Sequence, residues 1–386
     1  MSVGVAILGS TGSVGTTTLK VMEHLGDGYH VAGLVAGRRL DDLEGQIRRF
    51  RPSLVSVASE PDARDLSRRC GGVEVLHGPE GASAVAEMDD AHVVMAAIVG
   101  ASGLLPTYRA VLKGKRVALA NKEALVMAGR FMMDAARRNG AEMLPVDSEH
   151  CAVFQCLKGE SVRQVRSILL TASGGALRDR DPSTLESVTV EDVLNHPTWD
   201  MGPKITVDSA TMMNKGLEVI EAHHLFSVPL GKIRVLLHPQ SIVHSMVEFD
   251  DGSVMAQLAT TDMALPVQYA LTYPARMPGC LEAIDFSETS TLTFREPEPA
   301  KFPCLDLARR AAETSEGHTI ALNAANEEAV QAFLDGRLPY GRIACVIEGV
   351  LEGQEDVRLG SFDDIVPVDA AARGAARMAI EREAMP

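Results

Sequence analysis

The first fifteen residues constrain the fold of this chain more than any other stretch. An apolar run at 3–8 leads directly into a glycine-rich turn at 9–15 (GSTGSVG), and a helical pattern follows. A strand that enters a helix through glycines begins a βαβ unit, in which the backbone can approach a phosphate and the helix N-terminus supplies amide donors. The spacing is G-x-x-G-x-x-G rather than G-x-G-x-x-G, so a tight structural turn is the alternative interpretation.

The same alternation of strand and helix continues to about residue 147. Five further short apolar runs, separated by helical or polar stretches, are predicted to be strands: 30–35, 54–58, 92–98, 116–120 and 142–146. This rhythm is typical of a mostly parallel, doubly wound sheet. Residues 1–147 are therefore predicted to form a Rossmann-like α/β domain that binds a nucleotide.

Beyond residue 147 the pattern changes. In 148–275, two strands at 241–249 and 253–259 flank the turn Asp250-Asp251-Gly252, which predicts a hairpin in the mixed sheet of an α+β domain. Residues 276–300 contain three prolines and few helical signals, and we interpret them as a linker. Residues 301–386 are predicted to form a small helical domain from four helical patterns: 305–314, 319–334, 341–351 and 368–383.

Composition excludes several classes of function. Lys and Arg number 37 against 52 Asp and Glu, a formal net charge of −15, so no basic stripe exists to bind nucleic acid. No apolar run approaches the roughly 20 residues that span a bilayer, and the chain opens on a strand rather than a targeting peptide. Scattered cysteines without a C-x-x-C pair indicate reduced thiols in the cytoplasm: Cys70, Cys151, Cys156, Cys280, Cys304 and Cys345.

Two arginines, Arg38 and Arg39, end the second predicted strand. An enzyme that uses NAD usually has an acidic residue there to bind the ribose hydroxyl, whereas a guanidinium suits a 2′-phosphate. NADPH is therefore favoured over NADH. The alternative is a pair of exposed arginines on a loop.

Two carboxylates, Asp147 and Glu149, stand two residues apart after the strand at 142–146. Oxygen ligands suit a hard divalent cation, and Mg²⁺ or Mn²⁺ fits better than zinc because no Cys/His set has zinc spacing. A third carboxylate, Glu218, lies further along the chain. A lone D-x-E is otherwise more often surface charge, so the metal assignment depends on the other motifs.

The stretch at 207–218 (VDSATMMNKGLE) places polar and charged groups inside a helical pattern. If the helix begins near Ser209, Asn214 and Lys215 lie four and three residues before Glu218, so the three project together. An amide, an ammonium and a carboxylate on one face indicate a site for an anionic ligand that is associated with a metal. The alternative is an exposed helix with an ordinary ion pair.

Three further segments are candidate sites. A predicted strand enters the turn Ser173-Gly174-Gly175, which suits a phosphate but also a simple glycine turn. Trp199, the only tryptophan, lies between Pro197 and Gly202, where it suits a mobile cover or a buried loop anchor. Asn121 suits a helix cap and Lys122 a cation in the cleft, while His238 and His244 are compatible with structural roles.

Taken together, these motifs resemble the 1-deoxy-D-xylulose 5-phosphate reductoisomerase family. The resemblance covers almost the whole chain, in the family's order, through segments at 9–15, 120–129, 145–155, 170–175, 196–202, 207–226, 238–249 and 322–330. It implies a homodimer of three-domain subunits that acts on a small phosphorylated sugar. The family's reaction is a retro-aldol/aldol rearrangement followed by hydride transfer from NADPH, with Mg²⁺, Mn²⁺ or Co²⁺ as the divalent ion.

The resemblance also implies roles for individual residues. Asp147, Glu149 and Glu218 match metal ligands, and Lys122, Glu149 and His196 match groups close to the chemistry. Trp199 matches the tryptophan of a flap, here 193–203. The matches for substrate binding are Ser148, Glu149, Ser173, His196, Trp199, Ser209, Asn214, Lys215 and Glu218. Those for the cofactor are Thr11, Gly12, Ser13, Val14, Gly37, Arg38, Asn121, Lys122, Glu123, Gly202 and Met263.

The chain departs from the family pattern at a few positions: Arg38-Arg39, Ala176, Leu177, Thr198, Asp200 and Pro203. These departures bear on flap mobility rather than on the reaction. Two other functions remain as alternatives, a simple NADPH dehydrogenase of the homoserine type and a catalytically silent NADPH-binding relative. The DSEH and MNKGLE blocks count against the first, and the three carboxylates count against the second.

Overall fold

The computed structural model describes residues 2–279, 281–289 and 291–383, so the predicted thiol Cys280 lies outside the described residues. The chain forms two compact units. The first consists of Met1–Ala124, Met132–Cys151 and Asp262–Glu282. The second consists of Leu125–Phe131, Ala152–Thr261 and Ala283–Pro386.

The first unit is built on a parallel sheet of seven strands in the order β4-β3-β2-β1-β5-β6-β7. The strands are β1 (Val3–Leu8), β2 (Tyr29–Val35), β3 (Leu54–Val57), β4 (Glu74–His77), β5 (Val93–Ala96), β6 (Arg116–Leu119) and β7 (Met143–Pro145). The middle strand β1 is buried from Gly4 to Leu8 because helices cover both faces of such a sheet. The predicted doubly wound domain is confirmed.

One strand of this sheet was not predicted. The edge strand β4 has only Val75 and Leu76 between the polar residues Glu74 and His77, and its ends are exposed. Four residues with a polar residue at each end give no apolar run to detect. Pairing with β3 in parallel register forms the strand instead.

The helices from the N-terminus to the end of the first sheet are α1 (Ser13–Leu25), α2 (Leu40–Phe50), α3 (Glu60–Arg69), α4 (Gly78–Glu87), α5 (Leu104–Leu112), α6 (Glu123–Asn139) and α7 (Ser148–Cys156). Those that follow are α8 (Val190–Leu194), α9 (Pro203–Thr211), α10 (Met213–Phe226), α11 (Ala264–Thr272), α12 (Pro303–Thr314), α13 (Glu316–Leu334), α14 (Ile343–Glu352) and α15 (Ile365–Glu383). Among the described residues, none of these helices is both long and apolar enough for a membrane span.

The second unit contains a mixed sheet of four strands in the order β11-β10-β8-β9. Its strands are β8 (Val165–Ala172), β9 (Ile233–Leu237), β10 (Val243–Phe249) and β11 (Val254–Leu258). β8 and β9 are parallel, whereas β10 runs antiparallel to both β8 and β11. The predicted hairpin is present, with the amide of Phe249 donating to the carbonyl of Ser253 at 2.9 Å. The predicted mixed sheet is confirmed.

The C-terminal helices share one hydrophobic core with α9 and α10. Val207, Met213 and Leu217 pack in the same cluster as Leu322 of α13 and Ile347 of α14. The predicted helical C-terminal region is confirmed. The core explains why these helices belong to the same compact unit as the mixed sheet.

Several segments group differently from the predicted domains, among them 125–131, which belongs to the second unit, and 148–151, which belongs to the first. α11 packs against α1, so residues 262–282 belong to the first unit although they follow the second sheet in sequence. Within the predicted linker 276–300, Arg295 forms an antiparallel bridge to Leu237 at the end of β9, with N–O distances of 2.7 and 3.1 Å. This part of the segment is therefore held against the sheet.

The helix expected to begin near Ser209 requires a correction. Ser209 lies in the last turn of α9, Met212 adopts a left-handed conformation with φ of 61°, and a new helix begins at Met213. The apolar pattern continues across the break, so periodicity alone gave one helix where there are two.

Candidate active site

The glycine-rich turn after β1 is shaped by close backbone approach. Gly9 has φ of 93°, and a Cβ on Gly15 would lie 2.3 Å from the carbonyl oxygen of Gly9. The amide of Gly12 donates to that same carbonyl at 3.0 Å, and α1 begins directly after Gly12. The first amides of α1 are thus presented at the end of the sheet, where a phosphate can accept from them.

The two arginines after β2 differ in their contacts. The guanidinium of Arg39 donates to the carbonyl of Thr11 in the glycine turn and lies 3.8 Å from Asp42. Arg38 and Gly37 are exposed. Arg39 is exposed as well, but its guanidinium supports the turn, which distinguishes it from Arg38.

Asn121 follows β6 and is fully engaged by its neighbours. Its Oδ1 accepts from the amide of Ala124 at 2.9 Å, and its Nδ2 donates to the carbonyls of Gly100, at 2.9 Å, and Ile98. The helix cap that was the alternative interpretation is therefore present. Because Asn121 also ties together the loops after β5 and β6, it fixes the backbone that precedes Lys122.

Lys122 and Asp147 meet at the carboxyl ends of the adjacent strands β6 and β7. The ammonium Nζ lies 2.7 Å from Oδ2 of Asp147, and both side chains are at most 10% exposed. The carboxyl end of a parallel sheet is where such folds bind their ligands. Within the first unit, the structure brings this lysine and this carboxylate together.

The other oxygen of Asp147 organises the start of α7. Oδ1 accepts from the amides of Glu149 and His150 at 3.1 and 3.4 Å, and lies 3.0 Å from Nδ1 of His150. Ser148 Oγ donates to Glu149 Oε2 at 2.5 Å. His150 is buried and was not among the predicted site residues. Its position three residues after Asp147 could have indicated the contact, because residues three apart lie on the same face of a helix.

In the second unit, the turn Ser173-Gly174-Gly175 packs directly on α9. Both glycines have positive φ, 82° and 68°, and a Cβ on Gly175 would lie 2.7 Å from Cα of Ala210 and from the carbonyl oxygen of Ser209. A side chain at position 175 would push the two segments apart. The glycine turn thus brings the hydroxyls of Ser173 and Ser209 to the same place.

His196 lies between those two hydroxyls. Its Nε2 is 3.0 Å from Ser173 Oγ and 3.3 Å from Ser209 Oγ. Its Nδ1 accepts from the amides of Thr198 and Trp199 at 3.2 and 2.9 Å. Since an amide can only donate, Nδ1 is the acceptor of the neutral ring and the proton resides on Nε2, which faces the serines.

Two effects keep His196 neutral. Burial comes first, and the positive charge of Arg178 acts in the same direction, so the pKa of His196 is lowered to about 4. Arg178 also donates to the carbonyl of Ser173 at 3.1 Å. Arg178 was not predicted from the sequence, because an arginine that adds positive charge to a cluster of donors belongs to no recognisable motif.

Asn214, Lys215 and Glu218 converge as predicted, but they do so in the protein interior. Asn214 Nδ2 donates to Glu218 Oε1 at 2.7 Å, and the Lys215 ammonium donates to Oε2. The side chains of Lys215 and Glu218 are 4% and 1% exposed. A buried carboxylate is expensive unless it is paired, so the alternative of an ordinary exposed ion pair is wrong.

Several other residues singled out in the sequence lie in loops or in the core of the protein. The Trp199 ring lies 6.3 Å from the buried His244, Gly202 precedes α9, and Met263 precedes α11. His238 is structural, because Nδ1 lies 2.9 Å from the carbonyl of Thr293 and Nε2 accepts from the amides of 242 and 243. The departure Leu177 is buried in the core shared with the C-terminal helices, which gives it a packing role.

Comparisons with known proteins agree over almost the whole chain. A family model described as 1-deoxy-D-xylulose 5-phosphate reductoisomerase matches residues 5–129, and two models described as its C-terminal domain match 143–226 and 258–375. The 1-deoxy-D-xylulose 5-phosphate reductoisomerase of Geobacter sp. (strain M21) is 50% identical over 373 residues, 96% of this chain and 97% of the relative.

Solved structures give the same result. A DOX-P reductoisomerase in complex with NADPH, fosmidomycin and magnesium has a TM-score of 0.94 at 38% identity, covering 99% of this chain and 98% of that one. The Zymomonas mobilis reductoisomerase in complex with NADPH has a TM-score of 0.92 at 41% identity, covering 99% and 100%. The chain therefore belongs to the 1-deoxy-D-xylulose 5-phosphate reductoisomerase family.

Proposed function

We propose that this protein converts 1-deoxy-D-xylulose 5-phosphate to 2-C-methyl-D-erythritol 4-phosphate, using NADPH and a divalent cation, in the non-mevalonate route to isoprenoids. The observation that carries the proposal is membership of the reductoisomerase family over 96% of the chain. The reaction breaks and remakes one carbon–carbon bond and then reduces the resulting aldehyde. The contacts within each unit give physical reasons for assigning roles to individual residues.

The metal ligands in this proposal are Asp147, Glu149 and Glu218. Three carboxylates suit a hard cation such as Mg²⁺ or Mn²⁺, with Co²⁺ as a further option. Asp147 has both oxygens oriented, by Lys122 and by the start of α7, and Glu149 is oriented by Ser148. Such outer contacts hold ligating carboxylates in place. When bound, the cation would stabilise negative charge on the substrate oxygens and NADPH would supply the hydride.

The cofactor in this proposal binds at the glycine turn and the loops after β2 and β6. The turn geometry at Gly9 and Gly15 supports close approach of a pyrophosphate, and the exposed Arg38 supports recognition of a 2′-phosphate. The full proposed set is Thr11, Gly12, Ser13, Val14, Gly37, Arg38, Asn121, Lys122, Glu123, Gly202 and Met263.

The substrate phosphate in this proposal is bound by donors of the second unit: Ser173, His196, Ser209, Asn214 and Lys215. The Nε2–H of His196 and the two serine hydroxyls already share one small region, as a phosphate requires. Trp199 would cover the substrate and exclude water, and its backbone amide donates to His196, one of the proposed phosphate donors. Ser148 and Glu149 would contact substrate oxygens, and Lys122 or Glu149 would hold the proton that moves during the rearrangement.

The proposed assembly is a homodimer, acting in the cytoplasm. Among the strands that the structure describes, β11 pairs only with β10, and Val254, Met255 and Ala256 are successive exposed apolar residues on it. An exposed apolar edge strand is a template for pairing with a second chain. Light scattering should give twice the mass of one chain, and Met255→Lys should shift the protein toward the monomer.

The test of the activity is NADPH oxidation, followed by its absorbance, with 1-deoxy-D-xylulose 5-phosphate as substrate. The protein is first treated with a chelator and then assayed with and without added Mg²⁺ or Mn²⁺. Oxidation that depends on the metal supports the proposal. Folded, metal-loaded protein that does not oxidise NADPH contradicts it.

A further inference from the structure

The helix that carries Ser209 is held in place by two side chains from the C-terminal helical region. Asn326, in α13, donates from Nδ2 to Asp208 Oδ1 at 2.9 Å. Tyr340, before α14, donates its hydroxyl to the carbonyl of Ala210 at 2.9 Å. The residues on both sides of Ser209 are therefore fixed by groups that lie more than 100 positions further along the chain.

The first of these contacts involves the Asp208 carboxylate, which lies where a negative charge is energetically unfavourable. Asp208 is 1% exposed and lies near the C-terminal end of α9, where the helix dipole disfavours a negative charge. Its other oxygen, Oδ2, lies 2.8 Å from the ammonium of Lys204, at the beginning of the same helix. The carboxylate is thereby stabilised from two sides, and it ties the start of α9, next to Gly202 of the flap, to α13.

The second contact provides a hydrogen-bond donor to a backbone carbonyl at the end of α9. The last carbonyls of an α-helix have no partner within it, and Ala210 is the second-last residue of α9. The Tyr340 hydroxyl supplies the donor. Burial raises the pKa of Tyr340, so the hydroxyl keeps its proton.

Buried polar contacts of this kind add little net stability compared with apolar packing of the same volume. Asn326 is 0% exposed, in the middle of a helix whose other buried residues are largely apolar. Polar contacts instead define a position, because a hydrogen bond forms only when donor and acceptor are correctly aligned. Apolar packing does not impose this alignment. The position that the polar contacts define here is that of Ser209, which lies 3.3 Å from His196 and under the glycine turn of Ser173.

We propose that Asn326 and Tyr340 are positioning residues, through which the C-terminal helices hold the Ser209 hydroxyl in register with Ser173 and His196 for binding of the substrate phosphate. The inference rests on the proposed function and extends it to a region that touches none of the proposed ligands. It assigns to the C-terminal helices a role in recognition of the phosphate.

The test compares two substrates, 1-deoxy-D-xylulose 5-phosphate and 1-deoxy-D-xylulose, which lacks the phosphate. Asn326→Ala and Tyr340→Phe should each lower kcat/KM for the phosphorylated substrate by about tenfold, mainly through KM, the effect of one misplaced hydrogen bond. The value of kcat/KM for the unphosphorylated substrate should stay within about twofold. A loss of folded protein alone would lower both values equally.

Asn323→Ala is the matched control. Asn323 is the same residue type in the same helix and equally buried, but its amide donates to Glu327 and Met127 rather than to α9. Equal losses of kcat/KM for both substrates would overturn the inference. So would the same pair of kcat/KM changes in Asn326→Ala and Asn323→Ala. If Asn326→Ala does not fold, Tyr340→Phe decides alone, since it removes one hydroxyl only. Wild-type protein without turnover would overturn the proposed function and the inference with it, and that failure is visible before any variant is made.

Discussion

The imidazole of His196 accepts the backbone N–H of Trp199 at 2.9 Å through Nδ1, while its Nε2 faces Ser173 and Ser209. One ring thus joins the backbone of the predicted flap to the two hydroxyls proposed to bind the phosphate. A shift in the position of this ring must change both contacts together, whereas protonation at Nδ1 would remove the acceptor for the Trp199 amide.

Replacing His196 should therefore affect the phosphate and the flap at once. His196→Gln replaces the imidazole with a carboxamide, which has a donor and an acceptor but not the two-sided geometry of the ring. We expect KM for 1-deoxy-D-xylulose 5-phosphate to rise roughly 10- to 100-fold, the effect of losing one hydrogen bond to a charged group. Steady-state kinetics measures this, and the intrinsic fluorescence of Trp199 should change in the same variant because Trp199 is the only tryptophan. An unchanged KM would contradict the role of His196.

The lowered pKa of His196 predicts a dependence of stability on pH. The ring is neutral in the folded protein down to about pH 4, whereas an unfolded histidine protonates near pH 6.5. The unfolded state therefore gains protons first, and the contribution of His196 to stability is complete above about pH 6.5 and is lost as the pH falls toward 4. Tm measured across this range should fall more steeply for wild type than for His196→Gln.

The lowered pKa values of His224 and His238 set the background for that measurement. Burial lowers the pKa of His224 to about 4 and lowers that of His238. Both remain in His196→Gln, so the difference between the two pH profiles isolates His196. Parallel profiles for the two proteins would show that His196 does not titrate as described.

Glu218→Gln should abolish turnover while leaving NADPH binding intact. The change removes one carboxylate from the proposed metal set and does not touch the glycine turn. We expect kcat to fall roughly 100-fold or more, because Lewis-acid stabilisation contributes several kcal/mol. Turnover at saturating Mg²⁺ and NADPH fluorescence titration measure the two effects. Normal turnover would remove Glu218 from the metal set.

Loss of the Glu218 charge also leaves the buried Lys215 ammonium without that carboxylate, so the variant should be less stable. Glu327→Gln is a suitable control, since Glu327 is a partly buried carboxylate that pairs with Arg373 at 2.7 Å in the C-terminal helices. It should lose stability without losing turnover. The comparison separates a metal effect from a folding effect.

The sequence allowed much of this structure to be predicted where the signal is local. The strand before Gly9, the hairpin at Gly252 and the cluster of Asn214, Lys215 and Glu218 each follow from residues close together in the chain. The two helices around Met212 could not be separated, because a left-handed residue without glycine leaves the apolar period unchanged.

Contacts between distant residues were not predictable. Asp208 and Asn326 are 118 positions apart, in separate segments of the chain with no pattern that links them, so only the packing of α13 on α9 brings them together. Arg178 was missed because it has no motif of its own, and His150 was not among the predicted site residues although it lies three residues after Asp147. The chemistry of the site was therefore apparent from sequence, whereas the contacts that orient its side chains required the fold.

The two arginines after β2 provide the sharpest test of cofactor choice, since they are adjacent and chemically identical. Arg38 is exposed and is the proposed partner of the 2′-phosphate, so Arg38→Ala should raise KM for NADPH by about tenfold and leave KM for NADH nearly unchanged. Arg39 donates to the Thr11 carbonyl in the glycine turn, so Arg39→Ala should weaken the binding of NADPH and NADH to a similar extent. Steady-state kinetics with each cofactor measures the ratio of the two KM values. Equal effects of Arg38→Ala on both cofactors would mean that Arg38 does not bind the 2′-phosphate, and selectivity lost in Arg39→Ala alone would transfer that role to Arg39.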